Sequence, residues 1–364
     1  METKKHLVFD STMRDGEQQP MLSFRDDEKI GLCYQLEKMG IFEIDLMPSI
    51  DEHERMLIRL LNDTRLRDKL GSATMVHRKY VDQAVDVNSR VAYLFVHVSD
   101  GLMTARGKTR EQNLADISDC VDYALSKGLI VDFCGGDGTR GDPGYLKELL
   151  TEIGPKIRFY QPCDTSGLMT PDTSRAHVKF LTDIIGEKVV VHYHNDNGQS
   201  VESVIAALQE GAKGFDGTFL GIGERAGNVA TEKVLYTLRD KYGILIDGIN
   251  YDEIDNTVQM VTSMCRGIQP PSVNLNRKYP NVSGIHARAL RGKRDAFDYK
   301  YDQEAVEELL FFGKHSGKNN YQLLFGDQFS DADYAIMRDE VKRLSREQLK
   351  DFTAREIREM YGKK

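Results

Sequence analysis

Eight times between Leu7 and Tyr242, a short apolar run is followed by a segment with helical periodicity. This alternation constrains the chain more than any other feature, because it is the mark of β/α architecture. The runs are Leu7–Ser11, Ile41–Met47, Ser72–Val76, Val91–Val98, Leu129–Cys134, Ile157–Gln161, Val189–Tyr193 and Gly214–Leu220. Amphipathic stretches such as Asp26–Lys38, Glu111–Ser126 and Ser200–Glu210 lie between them, the last stopping at Gly211. Thr170-Pro171 reads as an N-cap with proline at the first helical position. Eight such units predict an α/β fold, a (β/α)8 TIM barrel. An open doubly wound sheet is the alternative, since sequence alone does not show closure.

After the helical segment Tyr251–Arg266, Gln269-Pro270-Pro271 marks a boundary. This predicts a catalytic barrel over 1–269 and a smaller, mainly helical region over 270–364, serving as a lid or dimerisation surface. No apolar run reaches the ~20 residues that cross a bilayer, and none near the start forms a secretory signal, so the expected location is cytoplasmic. The five cysteines form no C-x-x-C pair and read as reduced structural thiols. A net charge of −8 argues against nucleic-acid partners.

In a TIM barrel the chemistry sits just past the strands' C-terminal ends. The first strand runs into Arg14, Asp15, Gly16 and Glu17, and the seventh into His192-Tyr193-His194-Asn195-Asp196-Asn197-Gly198. Strand alternation puts His192 and His194 on one face. Taken alone, His-x-His describes two surface histidines. At a barrel mouth, with Asp15 one strand away across the closure, the three make a two-His, one-carboxylate set for a divalent ion such as Mg, Mn, Zn or Fe. Arg14 is either a structural ion-pair partner or an oxyanion stabiliser beside that metal. The eighth unit ends in Gly221-Ile222-Gly223-Glu224-Arg225-Ala226-Gly227-Asn228, a glycine-rich turn able to present backbone N–H groups to an anion. Glu224, Gly223 and Asn228 are therefore candidate substrate-facing residues. Thr165, in Asp164-Thr165-Ser166-Gly167, either caps a turn or positions substrate.

These motifs resemble the DRE-TIM metallolyase superfamily, and within it the Claisen-condensing branch of isopropylmalate, homocitrate and citramalate synthases. Arg14-Asp15-Gly16-Glu17 is similar to its D-x-T-x-R-D-G-x-Q region, His192–Gly198 to its H-x-H-N-D-x-G, and Gly221–Asn228 to the synthases' G-x-G-E-R-A-G-N. Ser283-Gly284-Ile285-His286 and Gly313-Lys314-His315-Ser316-Gly317 resemble their post-barrel segments. The resemblance implies a metal-dependent enzyme that condenses acetyl-CoA with a 2-oxo acid and releases CoA. It assigns the metal (Mg, Mn or Zn) to Asp15, His192 and His194. It assigns alkoxide stabilisation to Arg14 and general acid/base work to His286, with Glu17 and Glu224 as positioning residues or alternative bases. The matching histidine can come from a partner subunit, which implies a homodimer. His77 aligns loosely with a substrate-contacting histidine, a purely structural role being the other reading.

The chain departs from the pattern in three places. It has Ile44-Asp45 where the family has Ile-Glu, Gly136 where an acid precedes Asp137, and Asp132 where lysine-pathway homocitrate synthases carry an arginine. By its charge Asp132 cannot hold a distal carboxylate, so the oxo-acid side chain is expected to differ from the best-known cases. A hydroxyacyl-CoA lyase or an oxo-acid aldolase on the same barrel is the alternative. Lyases of that kind carry a cysteine in the glycine loop, and here that loop has none.

Overall fold

The computed structural model describes residues 1–273, 280–292 and 309–362. A short strand β1 (Glu2–Lys4) precedes eight strands that close into a parallel barrel. In order these are β2 (Leu7–Asp10), β3 (Glu43–Leu46), β4 (Leu70–Met75), β5 (Val91–His97), β6 (Ile130–Gly136), β7 (Tyr160–Asp164), β8 (Val190–Tyr193) and β9 (Gly214–Gly217). Closure is made by β9 on β2, with Leu7 opposite Gly214 and Asp10 opposite Gly217. The open-sheet alternative is thereby excluded. Outside the barrel, β1 pairs in parallel with β10 (Ile244–Ile246).

The strands are nearly continuous apolar runs because both faces are covered, by helices outside and by packed side chains inside. Val8, Leu94, Val131, Val191 and Phe215 join the outer-layer core with helix residues such as Leu36, Ile117 and Leu149. Local chemistry sets the helix ends. The helix Arg110–Ser126 opens with a reciprocal cap, in which Thr109 Oγ1 accepts from Gln112 N and Thr109 N donates to Gln112 Oε1. Pro171 sits at the first position of the helix Pro171–Ile185, as Thr170-Pro171 predicts.

The sixth barrel strand differs from expectation. The apolar run Ile157–Gln161 ends before Pro162, yet β7 runs from Tyr160 to Asp164. Arg158 and Phe159 stay below it at the base, and Cys163 and Asp164 pair with His192 and Tyr193. The register of the neighbouring strand overrides the proline as a stop signal.

The C-terminal region has its own core, including Phe312, Tyr321, Tyr334, Phe352 and Ile357. It is mainly helical, with helices Lys318–Phe325, Asp331–Gln348 and Ala354–Tyr361 around a two-stranded antiparallel pair, β11 (Phe311–Phe312) and β12 (Phe352–Thr353). It reaches the barrel mouth at several points. Lys342 Nζ donates to Ile50 O at 2.7 Å, and Met21 N donates to Asp351 Oδ2 at 2.9 Å.

Candidate active site

β2 ends in a tight turn. Asp10 accepts from Thr12 N at 3.1 Å and from Thr12 Oγ1 at 2.8 Å, which turns the following residues across the barrel mouth. Arg14 and Asp15 come to lie opposite the end of β8, where alternation places His192 and His194 side by side, ring centroids 5.2 Å apart. Asp15 Oδ2 is 3.6 Å from His192 Nε2 and 4.0 Å from His194 Nε2. One ligand atom from each residue lies within 4.8 Å of the others. The three sequence-predicted metal ligands thus converge.

These side chains are oriented by others. His192 Nδ1 is 2.8 Å from Asp216 Oδ2, which leaves Nε2 for the shared centre. Asp216 in turn accepts from Ser11 Oγ at 2.9 Å and Gln161 Nε2 at 3.3 Å. Asp15 accepts from Asn228 Nδ2 at 2.9 Å and Arg14 Nη1 at 2.8 Å. The Arg14 guanidinium is fixed on its other edge by Asp45 Oδ2, 2.5 Å from Nε.

The residues fit a divalent cation. Asp15, Asp45 and Asp216 are buried around one guanidinium, an excess of negative charge. Burial drives the Asp45 carboxyl up to about 7 despite Arg14, with Asp216 adding to the rise. Burial also opposes the charge of Asp15, but Arg14, His194 and His192 together hold it well below the usual carboxylate range. His194 Nδ1 is buried without a hydrogen-bond partner. The 3.6 and 4.0 Å separations exceed hydrogen-bond length yet suit two ligands at about 2.0–2.2 Å from one ion.

The glycine-rich turn lies directly against this set. Gly223 has φ 146°, and a Cβ there would fall 2.2 Å from Asn228 Nδ2 and 3.1 Å from Asp15 Oδ1, so only glycine lets the loop approach. Arg225 anchors the turn from below, with Nε donating to Asp196 Oδ1 at 2.9 Å and Nη2 to Thr165 O at 2.6 Å. Glu224 faces His286, 4.0 Å from its Oε2 to Nδ1. Burial, reinforced by Asp15, lifts the Glu224 carboxyl to about 7. Burial and the nearby Arg225, His97 and His194 hold the His286 imidazole well below its ordinary value. His286 stands at this position within the same chain as Glu224.

Three expected site residues stand differently. Glu17 is fully buried. Its carboxylate is held by Lys314, by Lys29 Nζ at 3.0 Å and by Phe24 N at 2.6 Å. With both lysines on it and no exposure, it ties the first loop to the C-terminal region. His77 is exposed, lines the cavity beside the site, and caps the helix Arg78–Asp86, its Nδ1 accepting from Lys79 N at 3.1 Å. Thr165 Oγ1 accepts from Asp137 N at 2.7 Å and braces the ends of β6 and β7.

Asp216 and Asp45 are residues the sequence reading missed as partners. The signal for Asp216 was an acid inside the apolar run Gly214–Leu220, at the inward position opposite His192 in the register.

Beside the site, between the ends of β3 to β5 and the C-terminal region, lies a cavity of about 1380 Å³. The metal-ligand candidates do not line it. Its inner wall includes His97 and Ser283, which adjoin His286 and Glu224.

Comparison with known proteins sets this geometry in context. The HMGL-like family model matches residues 5–261. A probable 2-isopropylmalate synthase of Ignicoccus hospitalis is 31% identical over 354 residues, covering 94% of this chain and 88% of that protein. A homocitrate synthase of Methanopyrus kandleri is 30% identical over 325 residues, covering 86% and 80%. Among solved structures, the HMG-CoA lyase of Brucella melitensis superposes with a TM-score of 0.62 at 19% identity, covering 72% of this chain and all of that one. That likeness concerns the fold.

Proposed function

The chain belongs to the HMGL-like family, and from that premise we propose that it condenses acetyl-CoA with a 2-oxo acid to give a 2-hydroxy-2-carboxymethyl acid and CoA. The observation that carries the reading is the convergence of Asp15, His192 and His194 under a Gly-Glu-Arg-Ala-Gly-Asn loop that touches Asp15 through Asn228.

Asp15, His192 and His194 would hold a divalent cation (Mg, Mn or Zn), which when bound polarises the keto group of the oxo acid. Arg14, locked between Asp15 and Asp45, stabilises the negative charge that grows on the keto oxygen. His286, opposed by Glu224, takes a proton from the thioester methyl group. The resulting enolate carbon attacks the keto carbon, forming the new C–C bond and an alkoxide that is then protonated. Water cleaves the thioester, releasing CoA and driving the reaction forward. Asp216, Asn228 and Gly223 position these groups, and Thr165 braces the substrate side of the mouth.

The segments 1–269 and 270–364 serve as barrel and lid. The low exposure of the donors, 5%, 3% and 5% for Asp15, His192 and His194, supports a lid that opens for substrate. No helix of the described residues is long and apolar enough to cross a membrane. A cytoplasmic homodimer completes the reading, and sedimentation checks the dimer. The test of function is acetyl-CoA-dependent thiol release with a panel of 2-oxo acids, with and without chelator. Release that needs both an oxo acid and a divalent ion is expected. Cleavage of a hydroxyacyl-CoA without such release would favour the lyase.

A further inference from the structure

His97 ends β5 at the inner wall of the cavity, half-buried. Its register neighbour in β6 is Gly136, where a Cβ would come within 2.8 Å of His97 Cδ2. The imidazole thus occupies the space that any side chain at position 136 would need. Two arginines from separate elements stand over this corner. Arg106 follows the helix Asp100–Ala105, and Arg288 belongs to the helix Gly284–Gly292, which packs on the first. Both line the same cavity as His97.

Among the described residues neither arginine forms an ion pair with a carboxylate. Arg106 Nη1 reaches only Asn113 Oδ1, at 3.4 Å. Asp116, the acid whose field reaches Arg106, is already bonded to Lys108 at 2.7 Å. The charges that His97 faces are Arg106, Arg288 and Arg140, the last in a two-pronged pair with Asp137. Burial and these cations push its imidazole down to about 3, so it stays neutral and can donate a hydrogen bond.

Two guanidiniums that have no acid partner among the described residues, beside a neutral imidazole in a chain of net charge −8, form a receptor for an anion. We propose that this corner binds a second acidic group, a carboxylate or phosphonate, at the far end of the 2-oxo acid. The substrate is then a dianion rather than a branched aliphatic oxo acid. The inference rests on the condensation reading above. CoA brings phosphates of similar chemistry, but its pantetheine arm holds them far from the reacting carbon. His97, by contrast, lies within electrostatic reach of His286 and so beside the reacting groups. An apolar side chain would also leave both arginines desolvated and unpaired, which opposes its binding.

The test uses the full chain with added divalent ion. Thiol release from acetyl-CoA is compared for 2-oxoglutarate, oxaloacetate and phosphonopyruvate against pyruvate and 2-oxoisovalerate. The best diacid is expected to exceed both monoacids in kcat/KM by roughly a hundredfold. R288Q, at an exposed position, and R106Q should each raise the KM for that diacid about tenfold and leave the KM for acetyl-CoA unchanged. Equal or better use of the monoacids overturns the proposal. So does a rise in the acetyl-CoA KM alone, which would assign the arginines to CoA phosphates. If no oxo acid supports thiol release, the condensation reading fails by itself. Calorimetry with the diacids then decides the corner: binding weakened in R288Q upholds it, and no binding to the wild type sinks it.

Discussion

Two clusters of buried charge sit at opposite ends of the same barrel, and they are built to different standards. At the base, Arg158 donates to Asp132 from Nε at 3.0 Å and from Nη2 at 2.6 Å, and to Glu43 from Nη1 at 3.2 Å. Tyr93 Oη donates to Glu43 at 2.7 Å, and Phe159 N donates to Asp132 at 3.0 Å. Phe42 and Phe159 flank the guanidinium. None of these side-chain atoms lacks a partner. At the mouth, His194 Nδ1, Asp45 Oδ1, Glu224 Oε1 and Asn228 Oδ1 are buried with no partner among the described residues. A saturated network is a plug, whereas unmet donors and acceptors in a buried cluster mark where something else binds.

Substitutions at the two ends should therefore separate activity from stability. Asp15→Ala or His192→Ala is expected to lower turnover by on the order of 10³ or more, with little change in melting temperature. Activity that persists in chelator-treated buffer would remove the metal from the scheme. Arg158→Met should do the reverse. It strands Asp132 and Glu43 as buried charges, a loss of about 3–5 kcal/mol in urea unfolding, while kcat/KM per folded molecule stays near wild type. An unchanged unfolding midpoint would mean the plug contributes nothing.

The contrast also shows what the sequence can reveal. Barrel strands are legible because strands buried on both faces must be apolar throughout, and His192 and His194 because alternation fixes their common side. Asp15 was legible once closure was assumed, since β9 alone separates β2 from β8. Pairings across the barrel were not. Asp132 reads as an odd acid in place of an arginine, and only the closed barrel brings it to Arg158, 26 positions away in the chain. The partnership of Asp45 with Arg14 and of Asp216 with His192 likewise depends on strand register. The two-residue strands Phe311–Phe312 and Phe352–Thr353 are too short to leave a periodic signal. The lysine partners of Glu17 were not legible either, because proximity in sequence to Asp15 says nothing about which way a turn sends a side chain.

Asp216 sharpens the comparison, since it is the mouth residue most like those of the base: three groups, Ser11, Gln161 and His192, share its oxygens. If its work is to orient His192, Asp216→Asn should weaken divalent-ion affinity about 10–100-fold and leave unfolding nearly unchanged. Calorimetric titration of the metal-free protein measures it. A large loss of stability with unaltered affinity would move Asp216 into the structural class.

The smallest effect concerns the plug and pH. Burial raises the Asp132 carboxyl to about 6 from an ordinary 3.8, and Arg158 only partly offsets this. A carboxyl raised on folding binds its proton more tightly in the folded state than in the unfolded one. Between about pH 6 and pH 4 the folded chain therefore holds more protons, and this group makes stability rise as pH falls through that window. Above pH 6 its contribution is constant and unfavourable. Asp132→Asn should flatten that segment of the stability profile, read from urea midpoints at half-unit pH steps. It should leave the pH dependence of thiol release alone, because Asp132 lies at the end of the barrel away from the reacting groups. A shift in the activity profile instead would show that the two clusters are coupled through the barrel interior, and the division between plug and receptor would fail.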